Sequence, residues 1–75
     1  MFERFVDIIC NYVEVEAEDV QMDSRFIEDL GFTSFDFMTM LGDLEEEFDI
    51  EIPAESAEDI TTVEEAVELI KAAIN

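Results

Sequence analysis

Acidic residues outnumber basic ones so heavily here that charge is the first limit on what the chain can fold into. Of 75 residues, 22 are Asp or Glu and three are Lys or Arg, a formal net charge of −19 at pH 7. An excess of that size opposes collapse and can signal disorder. Against it stands a hydrophobic content of 49%, with seven Phe and one Tyr. Together these predict a folded, highly acidic mini-domain spanning residues 1–75. A domain of this length buries only about 60% of its unfolded surface, so its stability is modest.

The same composition excludes several functions. Arg4, Arg25 and Lys71 are the only cations. They cannot neutralise a phosphate backbone, which argues against nucleic acid as a partner. Anionic membrane surfaces repel such a chain for the same reason. With no His and one Cys there is no zinc site and no imidazole-based triad, and no internal disulfide. A lone Cys suits a reducing compartment. No basic segment followed by an apolar one opens the sequence, and no run approaches 18 apolar residues. A cytoplasmic location without membrane insertion is therefore expected. The charge itself favours a monomer and a partner with a basic surface.

Periodicity predicts an all-α architecture. Phe2, Phe5, Val6, Ile9, Tyr12 and Val13 recur at helical spacing, which predicts a first helix over residues 2–13. Residues 14–33 read as a long connection anchored by Val15, Val20, Met22, Phe26, Ile27 and Leu30, with a short helical turn around Ser24–Asp29. Thr33-Ser34-Phe35-Asp36 has the form of a capping box, so a second helix starts at Thr33 and runs to Phe48 or Asp49. Gly42 inside it costs about 1 kcal/mol against Ala. Ile50 and Ile52 read as plugs in an extended linker. Pro53 then opens a short helix over about 54–59. Thr61 or Thr62 caps a last helix, whose stripe is Val63, Ala66, Val67, Ile70 and Ile74. The sum is a four-helix bundle, three longer helices and one short. Cys10 reads as a partly buried structural thiol.

The second helix carries more apolar surface than one core contact explains. At about 100° per residue, Phe37, Met40, Leu41, Leu44 and Phe48 form the stripe that faces the bundle. Phe35 and Met38 fall on a separate face with Ser34, Gly42 and Glu45, flanked by Asp36, Asp43 and Glu46. Two readings follow. Either the long connection or the short helix folds over Phe35 and Met38, or the pair forms a docking patch whose acids steer basic partners. Ser34 at the head of this helix reads first as a cap or an ordinary first-turn serine. It is no catalytic nucleophile, since no base stands near it in sequence. A hydroxyl modified by another enzyme needs no base of its own.

The stretch from Asp29-Leu30-Gly31 through Thr33-Ser34-Phe35 to Leu44-Glu-Glu-Glu-Phe48 and Pro53 resembles the acyl carrier proteins. Phe26, Ile60-Thr-Thr-Val63, the size and the acidity extend the resemblance over nearly the whole chain. It implies an acyl-carrier-protein-like four-helix bundle that is not an enzyme. It implies 4′-phosphopantetheine attached through a phosphodiester to Ser34, with acyl groups carried as thioesters on the cofactor thiol. Phe35 and Met38 match the family's hydrophobic recognition positions, and Asp36, Glu45 and Glu46 its acidic ones. The implied partners are a phosphopantetheinyl transferase and acyl-transferring or adenylating enzymes with basic docking surfaces, in fatty acid, polyketide or related specialised biosynthesis. Gly42 stands where the family often has a larger apolar residue, so the patch is expected to be flatter. The chain also departs from the family at Thr33, where Asp is usual, at Phe35, where Leu is usual, and at Thr39, where an acid is common. These departures suggest a specialised carrier rather than the housekeeping one. Two further readings remain at this level: an unmodified interaction protein with the same fold, and a calcium-binding helical domain. Residues 43–49 lack the alternating oxygen ligands and central Gly of a calcium loop.

Overall fold

The computed structural model describes residues 2–74. Four α-helices follow one another: α1 (Phe2–Cys10), α2 (Ser34–Phe48), α3 (Ala54–Asp59) and α4 (Val63–Ile74), with a 3-10 turn at Ala17–Asp19 between α1 and α2. The expected bundle of three longer helices and one short is the observed one. Among the described residues the extended backbone pairing is a single isolated bridge, Arg25 to Thr62.

The longer helices bury most of the stripe their spacing dictates, although Phe2 of the expected α1 stripe is exposed and Ile8, outside it, is buried. Phe5 and Ile9 of α1, Met40 and Leu44 of α2, and Val63, Val67 and Ile70 of α4 are fully enclosed. Phe37 and Phe48 border the core half-buried, as do Ile50 and Ile52 of the linker before α3. The last member of the α4 stripe, Ile74, is exposed, because the helix runs past the core there.

The long connection supplies the centre of the core. Phe26 is almost fully enclosed and touches three other rings. Its centroid lies 6.5 Å from that of Phe5 on α1, 5.6 Å from Phe32 and 5.2 Å from Phe37 on α2. The first two contacts are edge-on, the arrangement that aromatic quadrupoles favour. Val20 and Leu30 are buried and Val15 is half-buried, as expected of anchors. Met22 and Ile27 are exposed instead. The Met22 carbonyl accepts from the Glu64 N–H at 2.9 Å, and Ile27 lies in the turn after the bridge. Phe32 is a buried anchor that helical periodicity did not reveal.

Backbone bonding explains how a connection of this length stays ordered. The first amides of α4 have no partner within their own helix. Val63 N–H donates to the Ser24 carbonyl at 3.0 Å and Glu64 N–H to Met22, while Phe26 N–H donates to the Thr61 carbonyl at 3.0 Å. The expected helical turn around Ser24–Asp29 is present as one turn after the bridge residue, with the Asp29 N–H donating to the Arg25 carbonyl at 2.9 Å, while Met22, Ser24 and Phe26 bond across to residues 61–64. Of the two candidate caps on α4, Thr62 is the one used: its Oγ1 accepts from Glu65 N–H at 3.3 Å. The Glu65 carboxylate in return accepts from the N–H groups of Thr61 and Thr62, each at 3.0 Å. The Thr61 hydroxyl, which donates to the same carboxylate at 2.6 Å, and then these amides hold its pKa below the ordinary carboxylate value.

The first helix is shorter than its periodicity suggests. Asn11 and Tyr12 donate their N–H groups to Ile8 and Ile9 in a tightened last turn. Tyr12 then leaves the helical stripe and turns toward α2. Cys10 is half-buried and free, its Sγ 3.5 Å from the Val15 carbonyl.

Phe26→Ala is expected to cost about 3–5 kcal/mol, a large share of what so small a domain has to lose. Phe35→Ala, at a side chain 77% exposed, is expected to stay within about 0.5 kcal/mol of wild type. Urea unfolding followed by circular dichroism measures both. Equal losses would mean that Phe26 is not the centre of the core.

Candidate functional site

The start of α2 is built by three consecutive constraints. Gly31 has φ of +84°, a conformation that side-chain-bearing residues rarely adopt. This turn lets Phe32 drop into the core, where its N–H donates to the Phe26 carbonyl at 3.0 Å. Thr33 follows in extended conformation, and its Oγ1 accepts from Asp36 N–H at 3.0 Å. That is one half of the expected capping box. Ser34 is therefore the first helical residue and not the cap. Its side chain is exposed, and the cap does not need its hydroxyl.

Around Ser34 the apolar side chains are bare. Phe35 is 77% and Met38 55% exposed. Neither the long connection nor α3 covers them, which removes the first of the two readings of this pair. Thr39 donates its hydroxyl to the Phe35 carbonyl at 3.0 Å, a bond within the helix. No side chain at Gly42 interrupts this face.

The acids of α2 separate into groups. Glu46 is exposed in the last turns of the helix, beside a shallow hollow that Arg4, Ile8 and Asn11 also line. Glu45 is half-buried, and its carboxylate accepts from the Ile52 N–H at 2.9 Å, so it fastens the linker before α3. Asp43 and Glu47 point to α1. Glu47 forms a two-pronged pair with Arg4 at 2.9 and 3.1 Å, which raises the guanidinium pKa and lowers the carboxylate's. Asp43 accepts the hydroxyl proton of Tyr12. Asp36 is half-buried on this same side and adds its charge to the surroundings of Tyr12. Arg25 is engaged within the long connection, with Glu28 at 2.8 Å and Asp29 at 3.5 Å. Of the five residues expected to form a docking surface, Phe35, Met38 and Glu46 are each exposed, Glu46 two to three turns further along the helix. Asp36 and Glu45 lie at its two edges, Glu45 with a structural bond as well. Sequence spacing gave no sign of the Tyr12–Asp43 link, because Tyr12 fits the helical stripe of α1 on paper.

The sequence pattern of the family described as "Phosphopantetheine attachment site" matches residues 3–70. The acyl carrier protein of Clostridium acetobutylicum is 44% identical over 72 residues, which are 96% of this chain and 94% of that protein. This chain belongs to the acyl carrier protein family. It is a carrier of acyl groups rather than a catalyst, and its cofactor is 4′-phosphopantetheine. The residues present suit that group. An exposed hydroxyl stands at the first position of a 15-residue helix, where unpaired amides and the helix dipole favour a phosphate charge. No helix among the described residues is long and apolar enough to cross a membrane.

The link between α1 and α2 has a spectroscopic consequence. The hydrogen bond to Asp43 comes first among the causes that push the Tyr12 pKa up to about 12, followed by burial and the charges of Asp43 and Asp36. A raised pKa in the folded state means that the bond's contribution is complete below pH 10. It is lost as pH rises toward 12. Tyr12 is the only tyrosine and there is no Trp, so absorbance titration of phenolate reads this group alone. The midpoint is expected near 12 in wild type and closer to the ordinary value of about 10 in Asp43→Ala. Equal midpoints would contradict the bond.

Proposed function

We propose that residues 1–75 act as one carrier domain in which Ser34 holds the 4′-phosphopantetheine arm. The observation that carries this reading is the division of labour at the head of α2: Thr33 caps the helix, and the Ser34 hydroxyl is left exposed. When bound, the cofactor supplies the thiol on which an acyl group is held as a thioester. The chain contributes the rest by presentation. The helix end favours the phosphodiester charge, and the arm's tether raises the effective concentration of cargo at each partner's active site.

In this reading Phe35 and Met38 are the apolar contacts for partner enzymes. Glu46, with Asp36 and Glu45 at the edges, steers basic docking surfaces toward them. The partners are a phosphopantetheinyl transferase, which must bring its own base, and acyl-transferring or adenylating enzymes. The setting is cytoplasmic fatty acid, polyketide or related specialised biosynthesis, with the carrier acting as a monomer. Thr33 supports a specialised carrier. It leaves the position beside Ser34 neutral in a chain otherwise crowded with carboxylates.

Intact mass after incubation with coenzyme A and a broad-specificity phosphopantetheinyl transferase tests the reading. One phosphopantetheine is expected on wild type and none on Ser34→Ala. No gain on wild type with several transferases would sink it. An unmodified interaction protein would then be the better account.

A further inference from the structure

The four methionines of the chain differ in what surrounds the sulfur. Met40 is fully enclosed in the core. Met22 is exposed in the long connection, where its carbonyl accepts from the Glu64 N–H at the head of α4. Met1 lies outside the described residues. Met38 is exposed on the bare strip of α2. It stands four residues after Ser34 on the same helix face, roughly 6 Å further along the axis. Gly42, four residues on again, offers no side chain to cover the sulfur. No other segment of the chain comes within 4 Å of where such a side chain would begin.

A thioether suits a docking contact, because it is flexible and polarisable and adapts to apolar pockets of different shape. The same sulfur is open to two-electron oxidation by hydroperoxides. Its lone pair attacks one peroxide oxygen, and the S–O bond forms as the O–O bond breaks. With hydrogen peroxide, the departing hydroxide takes up a proton and leaves as water. Sulfur loses two electrons and the peroxide gains them. The product, methionine sulfoxide, is polar and chiral, and sulfoxide reductases return it to the thioether. Its oxygen carries a desolvation cost in an apolar pocket that offers it no donor.

We propose that Met38 is a site of reversible oxidative modification by hydroperoxides, and that its sulfoxide weakens the docking of partner enzymes on α2. This rests on Phe35 and Met38 being the partner contacts. Met38 lies outside the core, so its oxidation lowers docking and leaves the bundle folded. Oxidation of Met40 would act the other way round, through the core.

The test uses the full chain before the arm is attached. It is treated with hydrogen peroxide, cleared with catalase and mapped by peptide mass. Transferase kinetics with coenzyme A are then followed by intact mass. Met38 is expected to gain one oxygen well before Met40. Transferase kcat/KM is expected to fall roughly fivefold or more, the scale of one lost central contact, with circular dichroism unchanged. Methionine sulfoxide reductase is expected to restore the rate. Each variant is compared with its own untreated form: Met38→Leu should show no fall, and Met22→Leu the same fall as wild type. A fall that persists in Met38→Leu would trace the effect to another residue, Cys10 included, and overturn the inference. So would a Met38 that resists oxidation, an oxidised Met38 with unchanged kinetics, a fall accompanied by lost helicity, or a fall that the reductase does not reverse. The carrier reading would survive each of these. A wild type that accepts no arm before or after treatment overturns the carrier reading, and this inference with it.

Discussion

Phe26 meets α1, α2 and Phe32 at one point, and the order of the molecule follows from that contact. A connection of some twenty residues costs conformational entropy that its own local bonds cannot offset. Here the connection carries the ring into the middle of the bundle, between Phe5, Phe32 and Phe37. Once Phe26 is seated, its N–H reaches Thr61, and neighbouring carbonyls satisfy the first amides of α4. The segment thus works as a fifth packing element without being a helix. It also sets where α2 begins, because Phe32 enters the same cluster just before Thr33 and Ser34.

The second helix divides its surface between packing and solvent. One face is enclosed through Met40, Leu41 and Leu44. The flank toward α1 is tied by Tyr12 to Asp43 and by Arg4 to Glu47. The flank toward α3 is tied by Glu45 to Ile52. What remains bare is the strip with Ser34, Phe35, Met38 and Glu46. An acidic chain of this net charge repels itself, and the few specific ties on α2 use carboxylates as acceptors. Acidity therefore serves the fold in places and leaves a charged margin around the one strip not used by it.

Much of this was legible in the sequence because it is local. Helical stripes follow from residue spacing, and the caps at Thr33 and Thr62 follow from the side chains three residues on. Ser34 emerged through resemblance over a long ordered stretch, since a single serine at a helix start says little. What could not be read depends on contacts between distant segments. Met22 matched the anchors in hydrophobicity, yet its side chain is exposed and its part in the fold is a backbone carbonyl that accepts from Glu64. Tyr12 matched a helical stripe but leaves it for Asp43, 31 residues away. Glu45 resembled its acidic neighbours, yet it caps an amide of the next linker. In each case periodicity cannot see the partner that decides the side chain's role.

Of the serines, Ser34 alone is exposed, and it is the hydroxyl proposed for modification. The chain has three serines, Ser24, Ser34 and Ser56. Ser24 is buried, with its Oγ accepting from the Gln21 N–H. Ser56 is half-buried on α3. Fragmentation mass spectrometry of the transferase-treated chain locates the added group directly. The group is expected on Ser34 alone. Its appearance on Ser24, Ser56 or Thr33 would contradict Ser34 as the attachment site.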